Sequence, residues 1–163
     1  MIKYTYGKRN FNKIIIVSLC DGYSKELGYK LSQNLGMMFC DSKDLIEYEL
    51  VDIRALEELC SKDYLQKSEK SVIKHIASFE NVVVSISYDY LVHNINILKS
   101  KSLIVFVKLS KRYVKENGSP IDYIAFEEHT KVLKDLAATT IELKKYDLDF
   151  VTNKIVETLG GLL

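Results

Sequence analysis

The chain has 163 residues, 47% of them hydrophobic and 28% charged, and its 23 basic and 22 acidic side chains leave a formal net charge of +1. That composition describes one globular domain large enough for a real core, with no overall field to draw it to nucleic acid or to an anionic membrane. One proline and seven glycines exclude collagen-like and low-complexity structure. The apolar runs Ile14 to Leu19 and Leu103 to Val107 fall well short of the roughly 18 residues of a membrane span. Lysines precede the first of these runs, but it is brief and no small-residue cleavage site follows, so a cytoplasmic location is expected. Cys20, Cys40 and Cys60 form no C-x-x-C pair and are expected to be reduced, partly buried thiols. Twenty lysines stand against three arginines, Arg9, Arg54 and Arg112, although bidentate anion recognition is mainly arginine work.

In chain order, Lys13 to Leu19 is a short β-branched run, as expected of a strand buried on both faces. Ser24 to Leu35 places Leu27, Leu31 and Leu35 at helical spacing, and Gly36 sits where a helix ends. Met37 to Cys40 is predicted as a second strand. Lys43 to Glu49, Ile53 to Leu59 and Tyr64 to Phe79 are predicted as helices, the last carrying Val72, Ile73 and Ile76. Asn81 to Ser87 is a third strand, Tyr90 to Leu98 a helix, and Ser102 to Val107 a fourth strand. Ile121 to Leu136 is helical, Thr139 to Leu143 a fifth strand, and Leu148 to Leu159 a closing helix followed by Gly160 and Gly161. Strands alternating with helices imply right-handed crossovers and a parallel sheet covered on both faces, an α/β fold of three layers. Ligands in such folds bind beyond the carboxyl ends of the strands, so the loops after Val17, Cys40 and Ile86 are where chemistry is expected.

A phosphate-binding loop of the form G-x-x-x-x-G-K-[ST] after the first strand would let backbone N–H groups reach the phosphates, with the lysine and hydroxyl serving charge and magnesium. The corresponding window is Ser18-Leu19-Cys20-Asp21-Gly22-Tyr23-Ser24-Lys25. Ser18 and Tyr23 stand at the glycine positions, Ser24 at the lysine and Lys25 at the hydroxyl. Around this window, Leu27-Gly28, Leu31, Leu35, Phe39, Asp41, Ile46 and Glu47 match the pattern I-G-x-x-L-A-x-x-L followed by F-x-D-x-D-x-x-I-E. In these residues, and in length and element order, the chain resembles the shikimate kinases. The resemblance spans nearly the whole chain and implies a five-stranded parallel sheet of the P-loop kinase type, of order 2-3-1-4-5. It implies one domain over 13–163 with a shortened lid near 108–121, preceded by an extension over 1–12.

The same resemblance exposes departures. The family's magnesium-side aspartate corresponds to Asp41, but its substrate-binding aspartate corresponds to Lys43, a reversal of charge. The segment Ser61 to Glu69 resembles G-E-x-x-F-R-x-x-E with Gln66 at the substrate-binding arginine. The Gly-Gly-Gly turn falls at Ser87-Tyr88-Asp89. The arginine-bearing lid is cut to about Lys111 to Pro120 with Arg112 in its vicinity, and a later substrate-binding arginine falls near His129. Tyr23 puts a side chain where phosphate meets bare backbone. Asp21 adds a carboxylate there, a repulsion of about 1–4 kcal/mol at contact distance. Phosphoryl transfer depends on positioned cations, and an arginine in that role is typically worth on the order of 10³–10⁵ in rate.

Each candidate also has a plainer reading. Lys25 is one residue past the usual lysine, and about 100° of helical rotation turns it away from a phosphate nest, toward solvent. Asp41 fits either magnesium or a cap on the following helix. His75, His93 and His129 sit on predicted helices outside any nucleophilic triad, and Cys20 near a helix N-terminus is opposed as a reactive thiol by Asp21. Met1 to Asn12 interleaves Tyr4, Tyr6 and Phe11 with Lys3, Lys8 and Arg9, a pattern that fits base stacking, an added edge strand or a docking tail. Lys108 to Lys115 is a basic run, a solvated loop or an anion patch.

The leading expectation is a shikimate-kinase-like protein that no longer phosphorylates shikimate and acts by binding, without nucleotide or metal, in contact with a small molecule, a protein partner or a second copy. The rival is an active kinase for shikimate or another small hydroxyl compound, using ATP and magnesium at a rebuilt site around Gly22, Ser24, Lys25, Asp41 and Arg112, with substrate near Lys43, Gln66 and His129. A third expectation is an interaction module whose old cleft is filled by Tyr23, Tyr88 and Tyr90, and neither membrane nor nucleic acid is expected as a partner.

Overall fold

The computed structural model describes residues 5–6, 9–50, 58, 61–118 and 120–161, with side chains described from residue 11 onward. The expected helix over 53–59 and Cys60 lie outside the described residues, Glu58 excepted. Two two-residue strands, β1 (Thr5–Tyr6) and β2 (Arg9–Asn10), pair antiparallel with each other and not with the main sheet. The main sheet is built from β3 (Lys13–Val17), β4 (Met38–Asp41), β5 (Val82–Ile86), β6 (Ser102–Lys108) and β7 (Thr139–Glu142). All its pairings are parallel and the spatial order is β4-β5-β3-β6-β7, which is 2-3-1-4-5 in order of appearance.

The helices are α1 (Asp21–Leu35), α2 (Ser42–Leu50), α3 (Lys62–Ser78), α4 (Tyr88–His93), α5 (Ile95–Leu98), α6 (Lys111–Asn117), α7 (Tyr123–Leu136) and α8 (Leu148–Gly161). Because successive strand residues face opposite sides, Ile14 and Ile16 join a core under α1 and α8, while Ile15 and Val17 join a second core under α2, α3 and α4. The central strands β3 and β5 are buried throughout, whereas β4 at one edge leaves Met38 69% exposed. Among the described residues, no helix is long and apolar enough to cross a membrane.

α1 shows how the sequence sets the frame. Tyr23, Leu27, Leu31 and Leu35 line its buried stripe, and the small residues Ser24, Gly28 and Ser32 lie buried beside them. A Cβ at Gly28 would stand 3.0 Å from the Phe39 ring, so glycine lets α1 lie close on the sheet. Gly36 takes the left-handed conformation, φ 65°, and ends the helix.

Three local expectations need correction. α1 starts at Asp21 and not at Ser24, so the first turn of the helix replaces the end of the expected loop. The helix expected over Tyr90 to Leu98 is broken at Asn94, whose side-chain amide donates to the Tyr90 carbonyl at 2.9 Å. The basic run expected as a solvated loop is helical from Lys111, because the Ser110 hydroxyl caps the Tyr113 N–H and Val114 is buried.

Candidate functional site

Ligands of parallel α/β sheets sit at the carboxyl edge where the connections diverge to opposite faces. Here that point lies between β3 and β5, and the connection after β3 is only Ser18-Leu19-Cys20. Ser18 is fully buried. Its hydroxyl donates to the Cys20 carbonyl at 2.8 Å and accepts the Cys20 N–H at 3.2 Å. The Ser18 and Ser24 hydroxyl oxygens lie 2.5 Å apart. The turn is therefore closed on itself by side chains, and the residue at the family's lysine position forms part of that closure.

Beside this turn is a cavity of about 280 Å³ lined by Asp21, Gly22 and Lys25 of α1, Asp41 of β4, Ser42, Lys43, Asp44 and Glu47 of α2, Ile86 at the end of β5 and Ser87 just after it. It brings together Gly22, Lys25, Asp41 and Lys43, four of the residues singled out from sequence. Lys25 is 48% exposed, as expected of a solvated residue, and from there its ammonium pairs with Asp44 of α2 at 2.7 Å. That hydrogen bond raises the Lys25 pKa further above its ordinary value.

Asp41 is held at both oxygens. Oδ1 accepts the Ser85 hydroxyl at 2.5 Å, and Oδ2 accepts the Asp44 N–H at 3.1 Å, which caps the first turn of α2. Asp21 faces the same space. Partial burial of its carboxyl raises its pKa, as do Asp41 and Asp89, while Lys43 opposes the shift. The lining thus carries four carboxylates (Asp21, Asp41, Asp44, Glu47) against two ammonium groups (Lys25, Lys43). Among the described residues, no group of three or more His, Cys, Asp or Glu side chains is arranged to hold a metal ion.

The remaining candidates are dispersed. Gln66 lines a separate groove of about 630 Å³ between α3 and α4, with Lys62, Glu69, Lys70, Asp89, Tyr90, His93 and Asn94. His129 stacks on Tyr88 with ring centroids 3.8 Å apart. Arg112 is 87% exposed and pairs with Glu116 on its own helix at 3.0 Å, outside the cavity lining. Tyr23 points to the opposite side of α1 and is buried against Tyr113 and Tyr146. None of Tyr23, Tyr88 and Tyr90 is in the lining of this cavity: Tyr90 faces the groove between α3 and α4, and Tyr88 stacks on His129.

A shikimate kinase from Aquifex aeolicus vf5 superposes with a TM-score of 0.76 at 25% identity, covering 91% of this chain and 96% of that one. A shikimate kinase from Acinetobacter baumannii, in complex with shikimate, gives 0.73 at 18% identity over 93% and 94%. A gluconokinase from Sinorhizobium meliloti 1021 gives 0.63 at 19% identity over 95% of each chain. The fold is that of the shikimate kinases. No family model and no curated protein matches the chain by sequence.

Within this shikimate-kinase fold, sequence reasoning missed Asp44, Ser85, Tyr113 and Tyr146. A signal existed for two of them. Ser85 is the one polar residue inside the run Val82 to Ile86, and a buried strand serine needs a partner; Asp44 follows Asp41 at capping distance. Nothing local marks Tyr113 and Tyr146 as neighbours, since 33 positions separate them.

Proposed function

We propose that this chain is a shikimate-kinase-like protein that has lost phosphoryl transfer and acts by binding, in the cytoplasm, with the acidic cleft beyond β3, β4 and β5 as its remaining small-ligand site. The observation that carries this reading is the Ser18–Ser24 closure. A triphosphate needs a turn of unencumbered backbone N–H groups and a lysine to neutralise the β/γ charge. In this chain a buried serine pair occupies the turn, α1 has already begun at Asp21, and the cavity holds more carboxylates than ammonium groups. Nucleotide with magnesium does not fit residues so arranged, because like charge at contact distance costs about 1–4 kcal/mol per pair.

One observation favours the rival reading of an active small-molecule kinase. Gly22, Lys25 and Asp41 do line one cavity, and the Lys25–Asp44 pair is about half exposed, so releasing Lys25 to a phosphate costs about 1 kcal/mol or less. Calorimetric titration with Mg-ATP and Mg-ADP, with and without shikimate, separates the two. The binding-only reading expects no heat at millimolar nucleotide from protein shown to be folded. Micromolar nucleotide binding with phosphate transfer to a hydroxyl compound, abolished by Lys25→Ala, would establish the kinase instead.

A further inference from the structure

The carboxyl edge of the main sheet is occupied unevenly. Beyond β3, β4 and β5 it opens into the cleft described above. Beyond β3, β6 and β7 it is filled by three tyrosines. Tyr23 comes from the first turn of α1, Tyr113 from α6, and Tyr146 from the connection between β7 and α8. Tyr113 and Tyr146 stack with centroids 4.2 Å apart and 22° between their planes. Tyr23 meets both edge-on, at 5.7 and 6.3 Å, the arrangement that ring quadrupoles favour.

Hydrogen bonds tie this cluster to the backbone around it. The Ser110 N–H, just before α6, donates to the Tyr146 hydroxyl at 3.1 Å, and the Tyr23 hydroxyl donates to the Tyr146 carbonyl at 3.4 Å. At its other end α6 sits on the turn after β3. The Cys20 thiol donates to the Asn117 carbonyl at 3.5 Å, and Gly118 lies so close to the Leu19 carbonyl that a Cβ there would be 3.1 Å from it. Val114 between the two ends is buried.

We propose that α6 is a locked cover: the tyrosine clasp holds it shut over the half of the ligand-binding edge beyond β3, β6 and β7, so that ligands reach only the half beyond β3, β4 and β5. A cover tethered at both ends by ring contacts and backbone hydrogen bonds opens rarely, because the segment cannot leave without parting Tyr113 from Tyr23 and Tyr146, breaking the Ser110–Tyr146 and Cys20–Asn117 hydrogen bonds and exposing Val114. This inference concerns access and does not depend on whether the chain transfers phosphate.

Hydrogen exchange of the full chain, read by mass spectrometry with and without millimolar Mg-ADP, tests it. In the wild type, peptides over 111–118 should exchange far more slowly than an unstructured peptide, and nucleotide should leave them unchanged. In the double variant Tyr113→Ala, Tyr146→Ala, exchange over 111–118 should rise on the order of tenfold or more while β3, β5 and β6 keep their protection. If that variant unfolds as a whole, Tyr146→Phe keeps the ring and removes only the acceptor for Ser110, and faster exchange should then be confined to the start of α6. Free exchange over 111–118 in the wild type, a response there to Mg-ADP, or no acceleration in any of these variants overturns the clasp. Nucleotide binding by the released variant but not by the wild type would uphold the clasp and overturn the argument from the Ser18–Ser24 closure. Faster exchange with no binding by either protein upholds both.

Discussion

Replacing Gly118 by alanine adds a single methyl group at the place where α6 meets the turn after β3, and the surroundings fix what it would encounter. The new Cβ would stand 2.8 Å from the Val114 carbonyl oxygen, 3.1 Å from the Leu19 carbonyl oxygen and 3.4 Å from a Val114 methyl. The two nearest atoms are backbone, so neither can rotate aside, and the helix must lift from the turn. Overpacking of this kind costs about 1–3 kcal/mol. Alanine also restricts the unfolded chain, which returns about 0.4–1 kcal/mol. The net expectation for Gly118→Ala is a loss of about 1–2 kcal/mol, or roughly 2–8 °C in melting temperature for a chain of this size. Gly22→Ala is the internal control, since no atom lies within 4 Å of a Cβ built there. Urea denaturation followed by circular dichroism gives both values, and an unchanged dependence on urea would show that the unfolded states are comparable. A Gly118→Ala protein as stable as Gly22→Ala would refute the close seating of α6.

Substitutions at two further positions probe the cleft. Asp41→Ala removes the cap of α2 and the acceptor of the buried Ser85 hydroxyl, for an expected loss of about 1–3 kcal/mol in the same assay; Asp41→Asn, which keeps an acceptor, should fall between, and a neutral Asp41→Ala would mean the two bonds do not form. Asp21 has a folded pKa above the ordinary 3.8, so the native state binds more protons than the unfolded state just above that value. Stability therefore falls as pH rises from about the ordinary value through the folded pKa, and the full deficit persists above it. Asp21→Asn should gain on the wild type across that window and match it at lower pH, whereas parallel stability–pH curves for the two proteins would sink the assignment.

The strands and most helices could be read from the chain because their burial is simple. The β-branched runs at 13–17 and 82–86 are buried on both faces, and the leucine spacing of α1 matches its buried stripe. The strand order came from the resemblance, since periodicity carries no information on which strands are neighbours. What escaped was decided at a distance. The early start of α1 has no local signal, because Cys20 offers no side-chain cap; burial of Tyr23 among rings 90 and 123 positions away helps to fix it. The exposure of Lys25 was legible, but its pairing with Asp44 was not, because Asp44 arrives on a different helix. α6 was obscured by its charge, with one fully buried apolar side chain in seven residues, although Ser110 stood three residues before Tyr113 as a capping signal.

The position of β3 at the centre of the sheet governs how the chain must assemble. Its two neighbours begin 69 and 89 residues further along, Lys13 aligning with Val82 and with Ser102. None of its ladder can form locally, and closing loops of that length before any bond is gained slows folding. During synthesis, the most apolar segment of the protein waits for most of the chain to emerge before both its edges are covered. Until then Ile14, Ile15, Ile16 and Val17 form an unpaired strand of the kind that other chains can extend, so early exposure of this segment is the step at which the protein depends most on dilution or on a chaperone.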